Sequence, residues 1–238
     1  MTTSQPLTNL CLLFGGTSEE HEISLRSARA VRAYLNPQRY VIHHIAITRD
    51  GQWLDEKNSR ALLDGEQYAV TARGPYLPSD VDVVFPVLHG PGGEDGSIQG
   101  WLEMQNVPFV GSGCLGSAMA MDKSVTKHML RSANLPVLPW IDISISDWQD
   151  DALEAVSNIA QRFGYPMYVK PTQQGSSVGI SRVESKDQLT SAIDKAFDFS
   201  DYILVEPAAE GAEYEVAILD GDVPVVSLPG EIEVDGWY

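Results

Sequence analysis

The sequence is poor in cysteine, which argues against two classes of protein. Its 238 residues contain only Cys11 and Cys114, and these do not have the spacing of metal ligands. A disulfide-stabilised secreted fold and a cysteine-based zinc site are therefore not expected. Cys11 lies within an apolar run, so we expect a buried free thiol rather than a disulfide or a catalytic group.

Basic residues are also few. Lys and Arg number 16 against 33 Asp and Glu, which gives a net charge of −17. This charge argues against general binding to nucleic acid or to anionic membranes. No apolar stretch is long enough to span a bilayer, and the N-terminus lacks a signal-peptide pattern. Because 43% of the residues are hydrophobic, the chain can build a substantial core. We therefore expect a cytoplasmic globular protein of one large or two small domains.

Two familiar nucleotide-binding motifs are missing. The G-x-x-x-x-G-K-[ST] order of a Walker A loop does not occur. The turn after the first predicted strand does not match G-x-G-x-x-G either, and no acidic residue follows at the place that a ribose would need. A dinucleotide-binding fingerprint is therefore a poor match, and any phosphate site must use another kind of loop.

The first half of the chain predicts a parallel α/β unit. Residues 1–9 are expected to form a loose leader. The apolar runs 10–14 and 41–47 predict buried strands on either side of a helix that ends near Tyr34. Ser18 is the expected N-cap of that helix. A third buried strand, 81–88, leads directly into the loop His89–Gly96, which carries an imidazole and two carboxylates. Loops at the carboxyl ends of such strands form the ligand crevice of open α/β sheets.

After Gly113 the pattern changes to an antiparallel α+β unit. Helices are predicted over 122–133, 150–163 and 185–197, and strands over 138–143, 166–169, 178–183, 202–206, 213–219 and 223–226. The first of these helices carries a basic face that includes Lys123 and Lys127. Such a face is commonly solvated surface, but here it precedes a loop of phosphate-binding type. Both interpretations remain open from the residues alone.

That loop runs from Lys170 to Gly179 between two predicted strands, in the order K-P-T-Q-Q-G-S-S-V-G. It combines one cation, two adjacent hydroxyl groups and glycines that allow the backbone to approach a ligand closely. Exposed N–H groups, serine donors and a lysine suit an anion such as a phosphate. The alternative is a polar hairpin with a structural glycine.

Several segments together resemble one known family. Residues 89–100, H-G-P-G-G-E-D-G-S-I-Q-G, resemble the H-G-x-x-G-E-D-G signature of D-alanine–D-alanine ligases. Residues 15–25, G-G-T-S-E-E-H-E-I-S-L, resemble the same family's G-G-x-S-x-E-x-x-[VI]-S segment. Met121-Asp122-Lys123 and the 169–179 stretch resemble its ATP-binding segments, and Glu206 with the 213–219 strand resembles its adenosine-binding stretch. These motifs occur in the family's order along essentially the whole chain.

The resemblance implies a fold and its division into parts. A preATP-grasp α/β domain is expected over residues 1–120. An ATP-grasp domain follows, with a central α+β subdomain over 121–207 and the start of a C-terminal subdomain over 208–238. The ATP-grasp domain is expected to be incomplete, because the family's C-terminal third has no counterpart here.

The activity implied by the resemblance is the ATP-dependent ligation of two D-alanines for peptidoglycan synthesis. One D-alanine carboxylate attacks the γ-phosphate of ATP, and the amine of the second attacks the resulting acylphosphate. The implied cofactors are ATP and Mg²⁺, and the implied protein partner is a second copy of the chain in a homodimer. The alternatives are a D-alanine–D-lactate ligase and a binding or dimerisation homologue without catalysis.

The resemblance also implies roles for individual side chains near the first substrate. Glu20 would bind the ammonium group of the first D-alanine. His89 would donate a hydrogen bond to a carboxylate or a developing oxyanion. Ser176 is placed with Glu20 as a catalytic residue. Glu94 and Asp95 are expected to shape the loop and cap the helix that follows.

A second group of side chains would hold the nucleotide. Lys123 and Lys170 would neutralise phosphates, and Ser176 and Ser177 would cover them and exclude water. Glu206 belongs to this ATP site, where the backbone after it would read the adenine edge. The ribose hydroxyls would be bound by Glu213.

The metal ligands have no counterpart in the sequence. No convincing set of Mg²⁺ ligands occurs before Tyr238, and the family's phosphoryl-steadying arginine is expected beyond it. The chain as given is therefore expected to be an inactive part of a ligase.

Overall fold

The computed structural model describes residues 6–70 and 74–233. Most of the expected leader and the last five residues of the expected 208–238 segment lie outside that range. In chain order the elements are β1 (Thr8–Gly15), α1 (His21–Tyr34), β2 (Tyr40–Ile47), α2 (Glu56–Asp64), β3 (Val83–Pro86), α3 (Ser97–Met104), α4 (Cys114–Met121), α5 (Lys123–Ser132), β4 (Ile141–Ser144), α6 (Ile145–Asp150), α7 (Ala152–Phe163), β5 (Met167–Pro171), β6 (Ser181–Val183), α8 (Lys186–Phe197), β7 (Tyr202–Pro207), β8 (Glu213–Glu215), β9 (Ile218–Leu219), β10 (Val225–Val226) and β11 (Gly230–Ile232).

The first unit is a parallel sheet with strand order β2-β1-β3. Leu10 of β1 lies opposite Ile42 on one side and Val83 on the other. As expected of a central parallel strand, β1 is apolar and buried from Leu10 to Phe14. Leu12 packs in one core cluster with α1, and Leu13 packs in another with α3. The predicted parallel α/β unit is confirmed.

Cys11 of β1 is fully buried and has a free thiol. Burial, and then the negative charge of Glu56, raise the pKa of this thiol to about 12. A thiol that stays protonated is a poor nucleophile. The prediction of a buried free thiol is confirmed.

The second unit is an antiparallel sheet with strand order β4-β7-β5-β6. One face packs against α7 and α8, and its core includes Val169 of β5 and Val205 of β7. Because side chains alternate along a strand, Lys170 and Glu206 point to the opposite face. Lys170 pairs with Leu204, which is two positions from Glu206, so the two charged residues are diagonal neighbours.

Two short antiparallel ribbons complete the described chain. They pair β8 with β11 and β9 with β10, and their residues are mostly exposed. The predicted 213–219 strand is therefore divided into β8 and β9. None of the helices described over 6–70 and 74–233 is long and apolar enough to cross a bilayer.

Three local predictions need correction. Ser18 is not the N-cap of α1: Glu20 takes that position, without a side-chain capping bond. The predicted 150–163 helix begins later, at Ala152, because Asp151 caps α7 and Asp150 ends the separate helix α6. Helix α4 was not predicted from the sequence, because its alternation of small and apolar residues has no clear helical period.

Candidate functional site

Two loops of the first unit lie side by side because they follow the neighbouring strands β1 and β3. The buried hydroxyl of Ser24 accepts a hydrogen bond from the Gly15 N–H at 2.8 Å and donates one to the Val87 carbonyl at 2.5 Å. The Ser18 hydroxyl donates to the His89 carbonyl at 2.7 Å. These bonds hold the backbones of both loops together, so the position of one loop sets the position of the other.

The imidazole of His89 is held on both sides. Its Nε2 lies 3.0 Å from the Ser27 hydroxyl, and its Nδ1 lies 3.3 Å from Glu94 Oε1. The second oxygen of Glu94 accepts a hydrogen bond from the Gly90 N–H at 2.9 Å. Contacts on both ring nitrogens fix the orientation of the ring. The Glu94 contacts fit the expectation that this carboxylate shapes the loop.

Asp95 shapes the other end of the same loop. Its carboxylate accepts hydrogen bonds from the Gly92 N–H at 2.7 Å and from the Ser97 N–H at 2.9 Å, where α3 begins. Burial alone would raise the pKa of Asp95, but these backbone hydrogen bonds outweigh it and lower the pKa. The carboxylate therefore stays ionised and braces the loop that presents His89.

A cavity of about 330 Å³ lies beside these loops. Gly16 and Thr17 line it from the first loop, and His89 and Gly93 line it from the second, with Trp101 at one wall. Such a space is of the size that small-molecule sites occupy. The predicted substrate-binding residue His89 therefore borders a real cavity.

Glu20 meets a residue of the second unit. The Ser176 hydroxyl donates a 2.5 Å hydrogen bond to Glu20 Oε1, across a separation of 156 residues in the sequence. Ser176 and Ser177 both have positive φ, at 46° and 59°. That conformation is uncommon for residues other than glycine and clusters at functional sites. The two predicted catalytic residues are thus in direct contact.

The predicted phosphate ligands gather on the face of the second sheet opposite its core. Lys170 Nζ lies 2.7 Å from Glu206 Oε1, and Lys127 Nζ lies 2.6 Å from Glu206 Oε2. The ammonium group of Lys123 donates to the Gln174 carbonyl in the 170–179 loop. All four of these charged side chains line one cavity of about 270 Å³.

The charges in this cavity influence one another. Burial, and then the neighbouring positive charge of Lys170, lower the pKa of Lys123. Burial of Glu206 would raise its pKa, but the hydrogen bonds from Lys127 and Lys170 outweigh it and lower the pKa. Three ammonium groups face a single carboxylate, so the cavity has an excess of positive charge. An excess of this sign suits an anionic ligand.

The 170–179 loop joins the two groups of residues. Through Gln174 it contacts Lys123, and through Ser176 it contacts Glu20. Ser177 is exposed on the same loop, and its carbonyl accepts from the Ile180 N–H at 3.2 Å. Of the predicted site residues described here, Glu213 alone stands apart: its side chain is exposed on β8, away from the 270 Å³ cavity.

Sequence reasoning did not single out Lys127. Its side chain is only 14% exposed and lies within the charged cavity rather than on solvated surface. The signal was its position four residues after Lys123, because residues i and i+4 share a helix face. The solvated interpretation of the basic face is wrong for Lys127.

A magnesium site does not fit the described residues. Over 6–70 and 74–233, no group of three or more His, Cys, Asp or Glu side chains could hold a metal ion. Glu206, the carboxylate nearest the predicted phosphate site, is already bound by two lysines. Its oxygens are therefore engaged, and the cavity's positive charge opposes a cation.

Two family descriptions match the chain. "D-ala D-ala ligase N-terminus" matches residues 9–112, and "D-ala D-ala ligase C-terminus" matches residues 129–238. Between them they cover most of the sequence, in the order that the motifs predict.

Curated relatives carry the same name. The D-alanine–D-alanine ligase of Prosthecochloris aestuarii is 38% identical, over 98% of this chain and 71% of the relative. That of Deinococcus radiodurans is 42% identical, over 96% of this chain and 69% of the relative. The chain therefore matches a similar fraction of the length of each of these two longer relatives.

Solved structures confirm the fold class. The D-alanine–D-alanine ligase of Coxiella burnetii is similar with a TM-score of 0.81 and 33% identity, over 94% of this chain and 71% of that structure. The D-Ala:D-Ser ligase of Enterococcus faecalis has a TM-score of 0.81 and 31% identity, over 96% and 70%. The predicted preATP-grasp and ATP-grasp architecture is that of these proteins, and the chain belongs to the D-alanine–D-alanine ligase family.

Proposed function

We propose that this chain carries substrate- and nucleotide-binding residues of an ATP-dependent ligase that joins two D-alanines for peptidoglycan precursor synthesis. The observation that supports it most is the double contact of the 170–179 loop. Ser176 reaches Glu20 at the proposed amino-acid site, and Gln174 reaches Lys123 at the proposed phosphate site. A loop in this position brings a carboxylate substrate and a γ-phosphate to the same place.

The reaction has two steps. A carboxylate oxygen of the first D-alanine attacks the γ-phosphorus of ATP, the bond to the bridging oxygen breaks, and ADP leaves. The amine nitrogen of the second D-alanine then attacks the acylphosphate carbonyl carbon. Phosphate leaves with the electrons of the C–O bond, and the nitrogen loses a proton as the peptide bond forms. The protein's main contribution to such steps is positioning and charge stabilisation.

Glu20 and His89 orient the first D-alanine in this proposal. Glu20 Oε1 is engaged by Ser176, and we assign Oε2 to the substrate's ammonium group. His89, held by Ser27 and Glu94, donates to the substrate carboxylate or to the oxyanion that develops on it.

Lys123 and Lys170 bind the phosphates of ATP. In this proposal Lys170 moves from Glu206 to a phosphate, and Lys123, which has three N–H donors, adds a phosphate contact to the one it makes with the Gln174 carbonyl. Ser176 and Ser177 cover the phosphates as the loop closes, which protects the acylphosphate from hydrolysis. We assign Glu206 to the adenosine part of the site and Glu213 to the ribose hydroxyls. Phosphoryl transfer of this kind ordinarily needs Mg²⁺, whose ligands are not among the residues described.

The experiment is an assay of phosphate release from ATP by the protein encoded by the complete reading frame. We expect release only when D-alanine is supplied. Lys170→Ala should lower kcat/KM by roughly a hundredfold or more, because a positively charged phosphate ligand is lost. Lys186→Ala, at an exposed position at the start of α8, is the matched control and should leave the rate unchanged.

The outcomes separate the alternatives. Phosphate release without D-alanine, or a normal rate in Lys170→Ala, would refute the proposal. No release under any condition would favour a binding or dimerisation homologue without catalysis. D-Lactate and D-serine are included as second substrates, since one similar structure is a D-Ala:D-Ser ligase. We further propose a cytoplasmic homodimer, which sedimentation of the complete protein tests.

A further inference from the structure

Lys127 is held from three directions. Its Nζ lies 2.6 Å from Glu206 Oε2, donates a hydrogen bond to the Leu138 carbonyl at 3.2 Å, and lies 5.3 Å from the ring centroid of Trp140. A lysine on a solvated helix face has none of these constraints. A carboxylate, a carbonyl and an aromatic face each attract an ammonium group, so together they fix its position.

Trp140 gives this arrangement its rigidity. The indole is only 7% exposed, and its N–H donates to Asp142 Oδ2 at 2.8 Å. Arg131 lies over the same ring at 4.5 Å, and His128 packs against its edge at 4.9 Å between centroids. The ring is therefore fixed by partners on several sides, and it provides a fixed wall for Lys127.

Glu206 is shared between two lysines. Each of its oxygens accepts from a different ammonium group, from Lys170 at 2.7 Å and from Lys127 at 2.6 Å. The carboxylate is 10% exposed, so its charge is poorly screened by water. If Lys127 were uncharged, the whole charge of Glu206 would act on Lys170 alone. Lys170 would then be harder to detach.

We propose that Lys127 is a positioning residue of the nucleotide site, which holds Glu206 at the cavity wall so that Lys170 can move from the carboxylate to a phosphate of the incoming nucleotide. This inference rests on the proposed function, because it takes the 270 Å³ cavity to be the ATP site. Lys127 acts through Glu206 and changes nucleotide affinity rather than the chemical steps.

A purely structural role is the competing explanation. The Lys127–Glu206 pair also links α5 to β7, and a buried ion pair that loses one partner destabilises a protein. That explanation predicts a lower melting temperature with unchanged nucleotide affinity in the folded protein. The two explanations therefore differ in the quantity that changes.

The test is Lys127→Met in the complete protein, since methionine keeps an unbranched apolar side chain against Trp140. We expect the Kd for a non-hydrolysable ATP analogue, measured by calorimetry below the melting temperature, to rise about tenfold. KM for ATP should rise with it, while kcat and KM for D-alanine change by less than about twofold. Lys127→Arg should restore most of the affinity, and Lys186→Met, at an exposed position, should not alter it.

A double-mutant cycle shows whether the effect passes through Glu206. In a Glu206→Gln background no carboxylate remains to be shared, so adding Lys127→Met should change the Kd by less than about twofold. A full tenfold loss in that background would overturn the proposal, as would unchanged affinity in Lys127→Met alone. If the wild-type protein fails to bind the analogue, the proposed function fails as well; if it binds and only the variant predictions fail, the proposed function stands.

Discussion

His44 of β2 is a buried polar side chain. It is only 4% exposed, and neither ring nitrogen has a hydrogen-bond partner among the described residues. Burial, and then the positive charges of Arg60 and Arg32, lower its pKa from 6.5 to about 4. The folded protein therefore keeps this imidazole neutral at pH values where an unfolded chain protonates it.

This difference predicts a loss of stability in mild acid. The pKa of His44 is lower in the folded protein than in the unfolded chain. Between pH 6.5 and 4 the unfolded chain therefore binds a proton that the folded protein does not, and the free energy of unfolding decreases as the pH is lowered. The contribution of His44 reaches at most about 3 kcal/mol at the acid end. Urea unfolding of His44→Leu between pH 7.5 and 5 should show a flatter dependence than wild type.

Individual site residues were predicted with differing success. The family motifs pointed to Glu20, His89, Lys123 and Lys170, because each stands at a fixed place in a recognisable segment. Lys127 was ambiguous, since an i+4 lysine on a basic face has the same local pattern whether it is solvated or buried. The tertiary structure, in which its Nζ lies 2.6 Å from Glu206, shows that this lysine is buried rather than solvated.

The 170–179 loop depends on its last glycine. Gly179 has φ of +71°, and a Cβ atom there would lie 2.7 Å from side-chain atoms of Phe199 and Pro171. Both a left-handed conformation and a crowded site disfavour any larger residue. The sequence pattern G-S-S-V-G alone indicates a close turn, whereas the packing explains why its final position requires glycine.

Gly179→Ala should therefore lower the free energy of unfolding by at least about 1 kcal/mol. Gly221→Ala is the matched control, because its φ is not positive and the nearest atom to an added Cβ lies 4.0 Å away. Thermal unfolding of both variants checks this. An equal melting temperature for Gly179→Ala and wild type would contradict the expected crowding.

At the scale of elements, most of the helices and strands predicted from the sequence are present, but several of their boundaries are wrong. The predicted strands 166–169 and 202–206 are present as β5 and β7. The predicted 150–163 helix was wrong at its start, because the Asp151 carboxylate accepts a hydrogen bond from the Glu154 N–H and begins a new helix. An aspartate within a polar run has the same local pattern whether it caps a helix or continues one.

The described part of the chain has three core clusters, two that share the parallel sheet and one against the antiparallel sheet. The Ser176–Glu20 hydrogen bond connects the 170–179 loop with the first unit. Because the bond is made to a charged group, it restrains the loop more strongly than a neutral one would.

Ser176→Ala should release that restraint. Exchange of the Val178 and Ile180 amide hydrogens, which bond to carbonyls within the loop, is expected to quicken about fivefold. Amides of β5 and β7 should keep their protection, since their ladder is unchanged. Ser191→Ala, whose hydroxyl bonds within α8, is the control. Unchanged exchange at Val178 and Ile180 would show that the contact does not restrain the loop.

The sequence by itself determined the family, the order of most elements and the identity of most candidate site residues. It could do so because motifs, side-chain alternation and helical spacing are properties of neighbouring residues. Only the tertiary structure decided that Glu20 meets Ser176 across 156 positions and that Glu206 is shared by Lys127 and Lys170. Those contacts depend on how two sheets and their loops pack, which no local pattern specifies.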